Sequence, residues 1–319
     1  MKNKLIITLI CVLLLSALCC GAAMADGIDW EMNSAGDLTV KGTGEMTDAP
    51  WQDFADQIKT VTISDGITSI CDNAFMGCTS LTEIAIPDSV TAIGRAAFVD
   101  CTSLKEIKLP DGLTTIGENS FVNSGLESIA LPNSLTVIER NLFTDCHGLN
   151  TVTLPDSLTE IGGRAFQNCT AIAEIIIPDT VKLIDYEAFD GCQSLSKANL
   201  GSGVERIGDS AFRYCNSLNE ITLPNSLTVL GSGVFTGCDQ LAQVNYSGTE
   251  NEWKQIEIDE SAFGYNDDDI DFSFVSDSTT DGSMETGTAF GAGNPILIII
   301  FAFVAVVCAA VVMSRKRRK

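Results

Sequence analysis

The 319-residue chain has a single histidine, His147, no Cys-x-x-Cys pair, and no glycine-rich phosphate loop or dinucleotide fingerprint. One imidazole cannot build a histidine-rich metal centre, and the missing loops remove the usual devices for holding nucleotides. Cys146 stands beside His147, but neighbours in an extended turn point apart, so this pair reads as a turn and not as a nucleophile with its base. Paired acids for glycoside chemistry need a cleft that holds them about 5–9 Å apart, and no pattern announces one. Basic residues are scarce as well. The net charge is -23, and residues 26–294 hold only 12 basic side chains against all 42 acidic ones. Such a surface repels nucleic acid and anionic lipid. The expectations are therefore no enzymatic activity, no cofactor, no metal and no nucleic-acid partner.

The two ends carry most of what the middle lacks. Lys2 and Lys4 precede an apolar stretch over residues 5–18, and Ala23-Met24-Ala25 stands before Asp26. This is the pattern of a secretory signal peptide over residues 1–25, with cleavage after Ala25; Leu18 and Cys19 are poor neighbours for a lipidated cysteine. Residues 295–313 form a 19-residue run without a charge, followed by the basic tail 314–319. As a helix it would span about 28 Å, close to the thickness of a bilayer core. The expectation is one C-terminal membrane helix, with the basic tail cytoplasmic and the repeats outside. Residues 283–287 resemble a cell-wall sorting signal without its Leu-Pro opening, so retention of the helix is favoured over transfer to the wall.

Between the ends the chain repeats. Phe75, Phe98, Phe121, Phe143, Phe166, Phe189, Phe212, Phe235 and Phe263 follow one another at steps of 23, except for 22 between Phe121 and Phe143 and 28 at the end. A second ladder, Ser64, Pro87, Pro110, Pro132, Pro155, Pro178, Gly201 and Pro224, keeps the same step. A period of 20–29 points to a leucine-rich class of solenoid. Leu81, Ile84 and Ile86 precede Pro87 as Leu104, Ile107 and Leu109 precede Pro110, the alternation of a half-exposed strand that Pro then ends. Val90, Ile93, Phe98 and Cys101 return as Val204, Ile207, Phe212 and Cys215 and should stack inward, since one unit cannot bury its apolar face alone. Gly94, Gly117, Gly162, Gly208 and Gly231 follow the repeat Ile, where Gly permits a positive φ or a close backbone approach. The return can hold a short helical turn at residues 95–98.

The block LTEIAIPDSVTAIGRAAFVDC over residues 81–101 resembles the BspA-like, or Treponema-type, leucine-rich-repeat family in its period, its Pro after the strand and its Ala-Phe-x-x-Cys ending. The resemblance covers about two thirds of the chain. It implies an α/β-type solenoid: a right-handed coil with a parallel β-sheet on one face, built mostly of short strands and turns. It also implies a surface protein used in adhesion. Residues 26–58 resemble the segment that caps such repeats, residues 59–272 the solenoid with its closing unit, and residues 273–294 read as a flexible stalk.

Seven cysteines, Cys78, Cys101, Cys146, Cys169, Cys192, Cys215 and Cys238, sit three residues after a repeat Phe, which favours an inward ladder of small apolar side chains over scattered disulfides. The repeat core is thus expected to comprise these cysteines with the first eight phenylalanines. Two residues before each repeat Pro lies an exposed strand position: Thr62, Ala85, Lys108, Ala130, Thr153, Ile176, Asn199, Thr222 and Asn245. In a very acidic chain this line holds no carboxylate. It is the expected surface for an extracellular protein or glycan partner; the alternative is a structural protein that associates with its own kind. The carboxylates Asp267, Asp268, Asp269 and Asp271 lack EF-hand spacing and read as a solvated charge run.

Overall fold

The computed structural model describes residues 19–20, 27–264, 270–276 and 284–285. In each unit a short strand such as Glu83–Ala85 buries its middle residue and exposes the two beside it, the period-2 pattern of a sheet with one wet face. The proline then ends the strand and opens a tight turn: the Val90 amide donates to the Pro87 carbonyl at 3.1 Å, as Leu158 does to Pro155 and Leu227 to Pro224. A second, two-residue strand follows, for example Arg206–Ile207. The chain closes the coil through a turn around the repeat Phe.

Successive coils pair in parallel and in register. Lys197–Asn199 lies beside Glu220–Leu223, which lies beside Gln243–Tyr246, and the short second strands form a ladder of their own from Val137–Ile138 to Glu257–Ile258. The result is a right-handed, mostly parallel β-solenoid with very little helix.

Register places like above like. Trp51 and the nine phenylalanines form one unbroken stack with ring centroids 5.2 to 5.9 Å apart. Phe75, Phe98, Phe121, Phe143, Phe166, Phe189 and Phe212 are fully buried, and Phe235 nearly so. Cys78, Cys101, Cys146, Cys169, Cys192, Cys215 and Cys238 are also buried and form no disulfide. From Cys101 onward each thiol reaches the carbonyl of the preceding coil's Phe, at 3.2 Å for Cys101 to Phe75 and 3.1 Å for Cys169 to Phe143. Ser124 fills the gap in this column with its hydroxyl 3.2 Å from the Cys146 sulfur.

The turn around Phe contains no helix. The residue two before each Phe from Phe75 to Phe235 has a positive φ, 53° at Ala96 and 56° at Asn141, and a left-handed residue there prevents a helical turn from closing. Glycine after the repeat Ile serves the other purpose considered for it. None of these glycines has a positive φ; a Cβ on Gly208 would lie 2.6 Å from the Tyr186 amide nitrogen. Gly208→Ala is expected to cost about 1–3 kcal/mol through overpacking against backbone, measured as a lower urea midpoint at unchanged m-value; no loss would mean that neighbouring coils have slack there.

The 22-residue step leaves a mark. Although Leu104, Ile107 and Leu109 keep the strand pattern, residues 106–108 are not in a strand, and Thr115–Ile116 and Val137–Ile138 belong to separate sheets. The missing residue pulls the turn side tight, where Gly125 donates to the Cys101 carbonyl, and the ladders open while the Phe stack runs on.

Both ends are covered by aromatic residues. Asp37–Lys41 pairs with Thr60–Ile63 at the same step of 23, so the coil path already runs through the segment before residue 59; Trp30 closes it edge-on against Trp51 at 6.2 Å. At the other end the 28-residue step accommodates the helix Glu250–Trp253, started by a Thr249 and Glu252 capping box. Trp253 packs there against Tyr246, Phe263, Phe272 and Phe274. The strand Asp271–Val275 continues the sheet past residue 272.

The expectation of a membrane-anchored, single-pass protein is corrected: among the described residues no helix is long and apolar enough to cross a membrane. The run 295–313 and the tail 314–319 lie outside the described residues, as do Asp267, Asp268, Asp269, residues 286–294 and the signal segment apart from the Cys19–Cys20 strand.

Candidate binding face

The first ladder of strands presents one broad face. Its register joins Thr39, Thr62 and Ala85, then Ala130 and Thr153, then Ile176, Asn199, Thr222, Asn245 and Ser273. Lys108 is exposed between Ala85 and Ala130, in the coil that forms no strand. Ladder pairing is absent on both sides of Lys108 and between Thr153 and Ile176, so the column is three paired blocks and not one continuous row. Thr62, Ala85, Ala130, Thr153 and Thr222 are exposed, Asn199 and Asn245 half-buried. Ile176 is 65% exposed, an unusual position for a large aliphatic side chain on a regular sheet.

The column one strand step earlier mixes signs. Lys197 pairs with Glu174 at 2.9 Å, and Asn199 donates to the same carboxylate at 3.1 Å. The Lys197 hydrogen bond and charge hold the Glu174 carboxyl below its ordinary range. Asn245 donates to Glu220 and accepts from Ser273. The C-terminal half of the face is thus tied together by side-chain hydrogen bonds, while Thr62, Ala85, Ala130 and Ile176 have none of this kind. Thr39 and Ser273 lengthen the column at its two ends.

Nothing on this face or elsewhere among the described residues assembles three His, Cys, Asp or Glu side chains around a metal position. The His147 Nδ1 lies 2.9 Å from the Asn168 carbonyl oxygen. The arrangement is an exposed strand face along one side of a repeat solenoid.

The family model for the BspA type leucine rich repeat region matches residues 53–150 and 136–268, in six copies. Among solved structures, a leucine-rich repeat protein from Bacteroides ovatus ATCC 8483 is 26% identical, covers 81% of this chain and 70% of its own, and superposes with a TM-score of 0.67. Leucine-rich repeat proteins from Eubacterium ventriosum ATCC 27560 (25% identity, 72% and 73% covered, TM-score 0.49) and T. pallidum (28%, 69% and 91%, 0.47) are also similar. No curated protein matches. With the family pattern matched over more than half its length and the same coil observed in its structure, the chain belongs to the BspA-type leucine-rich-repeat family of surface-exposed proteins.

Proposed function

We propose that the protein is an adhesin that recognises an extracellular protein or glycan through its strand face. The observation that carries this reading is the column centred on Ile176: a carboxylate-free row, with one large apolar side chain 65% exposed, on a chain of net charge -23. Strand propensity favours Thr and Ile alike, but an isoleucine on the wet face leaves apolar area in water that a threonine does not. Apolar side chains that become buried on association carry much of the energy of an interface.

Full-length protein is tested against an array of extracellular-matrix proteins and surface glycans at physiological salt. Combined Lys108→Glu, Thr153→Asp and Ile176→Asp substitution is expected to weaken the strongest saturable interaction by at least about 30-fold, the scale of one lost hot spot. Thermal stability should hardly change, because all three side chains point to solvent. Undiminished binding by the triple variant would remove the strand face as the site.

A further inference from the structure

A second surface stands out on the turn edge of the solenoid, away from the strand face. Each coil from Phe75 to Phe235 places two residues in the left-handed region, one two residues before the Phe and one two after. Asn, Asp, Gly or Ser fills almost all of these positions; the exceptions are Ala96, Arg164, Glu187 and Tyr214. The left-handed conformation is uncommon for any residue with a Cβ and is an outlier for a bulky one. The three large exceptions lie together.

Side chains of adjacent coils link them. Arg164 pairs with Glu187, and Arg213 lies 3.7 Å from the other oxygen of that carboxylate. The Arg213 guanidinium sits 5.3 Å from the centre of the Tyr214 ring, and those of Arg140 and Arg164 lie 5.5 and 5.4 Å from the Tyr186 ring. Both rings rest on glycine. A Cβ on Gly163 would fall 2.3 Å from Tyr186, and one on Gly237 would fall 2.4 Å from Tyr214. Arg213 is further fixed by two 2.9 Å bonds to Asp190, only 5% exposed, which also accepts from Gln167.

The patch is therefore preorganised, and it is not used up. Tyr214 is 50% exposed, and Arg140 belongs to no ion pair among the described residues. Three of the five arginines between residues 27 and 276 are gathered here. Arg and Tyr are the residue types that dominate protein–protein hot spots, and strained backbone is retained where function requires it.

We propose that this turn edge docks a second copy of the chain, a carboxylate of which meets Arg140 and whose surface covers Tyr214. Charge complementarity selects that occupant: with 42 acidic against 19 basic side chains, nearly every other face of a second copy offers carboxylates. The contact joins unlike surfaces and is heterologous, so it adds copies in a row. Long-range repulsion between two acidic chains is screened beyond about 8 Å at physiological salt, whereas close contacts in the patch persist. Association should accordingly appear at physiological salt and fade at low salt.

Sedimentation velocity of the full-length protein over a range of concentrations tests this. Wild type should form species larger than the monomer at physiological salt. Arg140→Glu with Tyr214→Gly should weaken their formation at least about tenfold without lowering the melting temperature, because Gly already occupies the same turn position at Gly191 and Gly237. Ile176→Asp, on the strand face, should associate like wild type. A monomer under all conditions, association unchanged in the double variant, loss in Ile176→Asp instead, or loss accompanied by a clear fall in melting temperature would each overturn the proposal.

Discussion

Raising the pH beyond about 9 is expected to unfold the solenoid over a narrow range, because the buried thiols must stay protonated for the fold to persist. Cys78, Cys101, Cys146, Cys169, Cys192 and Cys215 are all fully buried. Burial pushes Cys78 up to about 12 and Cys146 up to about 11, the latter moderated by the Ser124 hydroxyl. It raises Cys101, Cys169, Cys192 and Cys215 as well. The unfolded chain releases these protons near the ordinary thiol value of about 8.5, while the folded chain keeps them. The stabilisation is therefore complete below that value and is lost as pH climbs toward the folded values. Each thiol contributes about 1.4 kcal/mol per pH unit, so the six together give a slope of about 8 kcal/mol per unit. A typical domain has only about 5–15 kcal/mol in all, which places the transition within one or two units of pH 8.5. Urea denaturation at stepped pH, followed by far-UV circular dichroism, measures the slope. Cys192→Ser should reduce it by about one sixth, since Ser124 shows that the column accepts a hydroxyl. Stability independent of pH up to 11 would mean that the thiols are open to solvent.

Phe166→Ala is expected to destabilise the protein by about 3–5 kcal/mol. Phe166 is fully buried, with Phe143 and Phe189 stacked on its two faces at 5.2 Å each. Truncation removes the side chain's transfer free energy and two ring contacts, and it leaves a cavity that rigid, hydrogen-bonded coils cannot close. Each coil touches only its neighbours, so stability is nearly a sum of coil and interface contributions, and one substitution weakens two interfaces at once. The loss should therefore break the unfolding into two steps on either side of the cavity. Phe263→Ala, at a partly buried end position with one stacked coil neighbour, should cost less and leave a single transition. Equal costs at the two positions would indicate that the stack does not hold the coils together.

Much of this architecture was legible because a solenoid repeats its own evidence. Two ladders in step define the coil, and in-register pairing then turns each column of the sequence into a column in space. What escaped the sequence lies where the column rule fails. Residues 106–108 keep the alternation of a strand, yet the one-residue deletion downstream opens the ladder around them. The left-handed pair flanking each Phe could not be read either, since Asn, Asp, Gly, Arg, Glu and Tyr share those positions and only the turn geometry unites them. Arg140, Arg164 and Arg213 are not whole repeats apart, so no periodic reading would have brought them to one edge. The membrane anchor rested on a charge-free run and a basic tail, and among the described residues no helix is long and apolar enough to bear it out.

The strand face and the turn edge each have one prominent exposed side chain, Ile176 and Tyr214, and both are readily oxidised. Hydroxyl-radical footprinting of the protein with and without its strongest array partner therefore tests most directly where binding happens. Protection of Ile176 with Tyr214 unchanged is the predicted result, and protection of Tyr214 with Ile176 left reactive would contradict the assignment of the strand face.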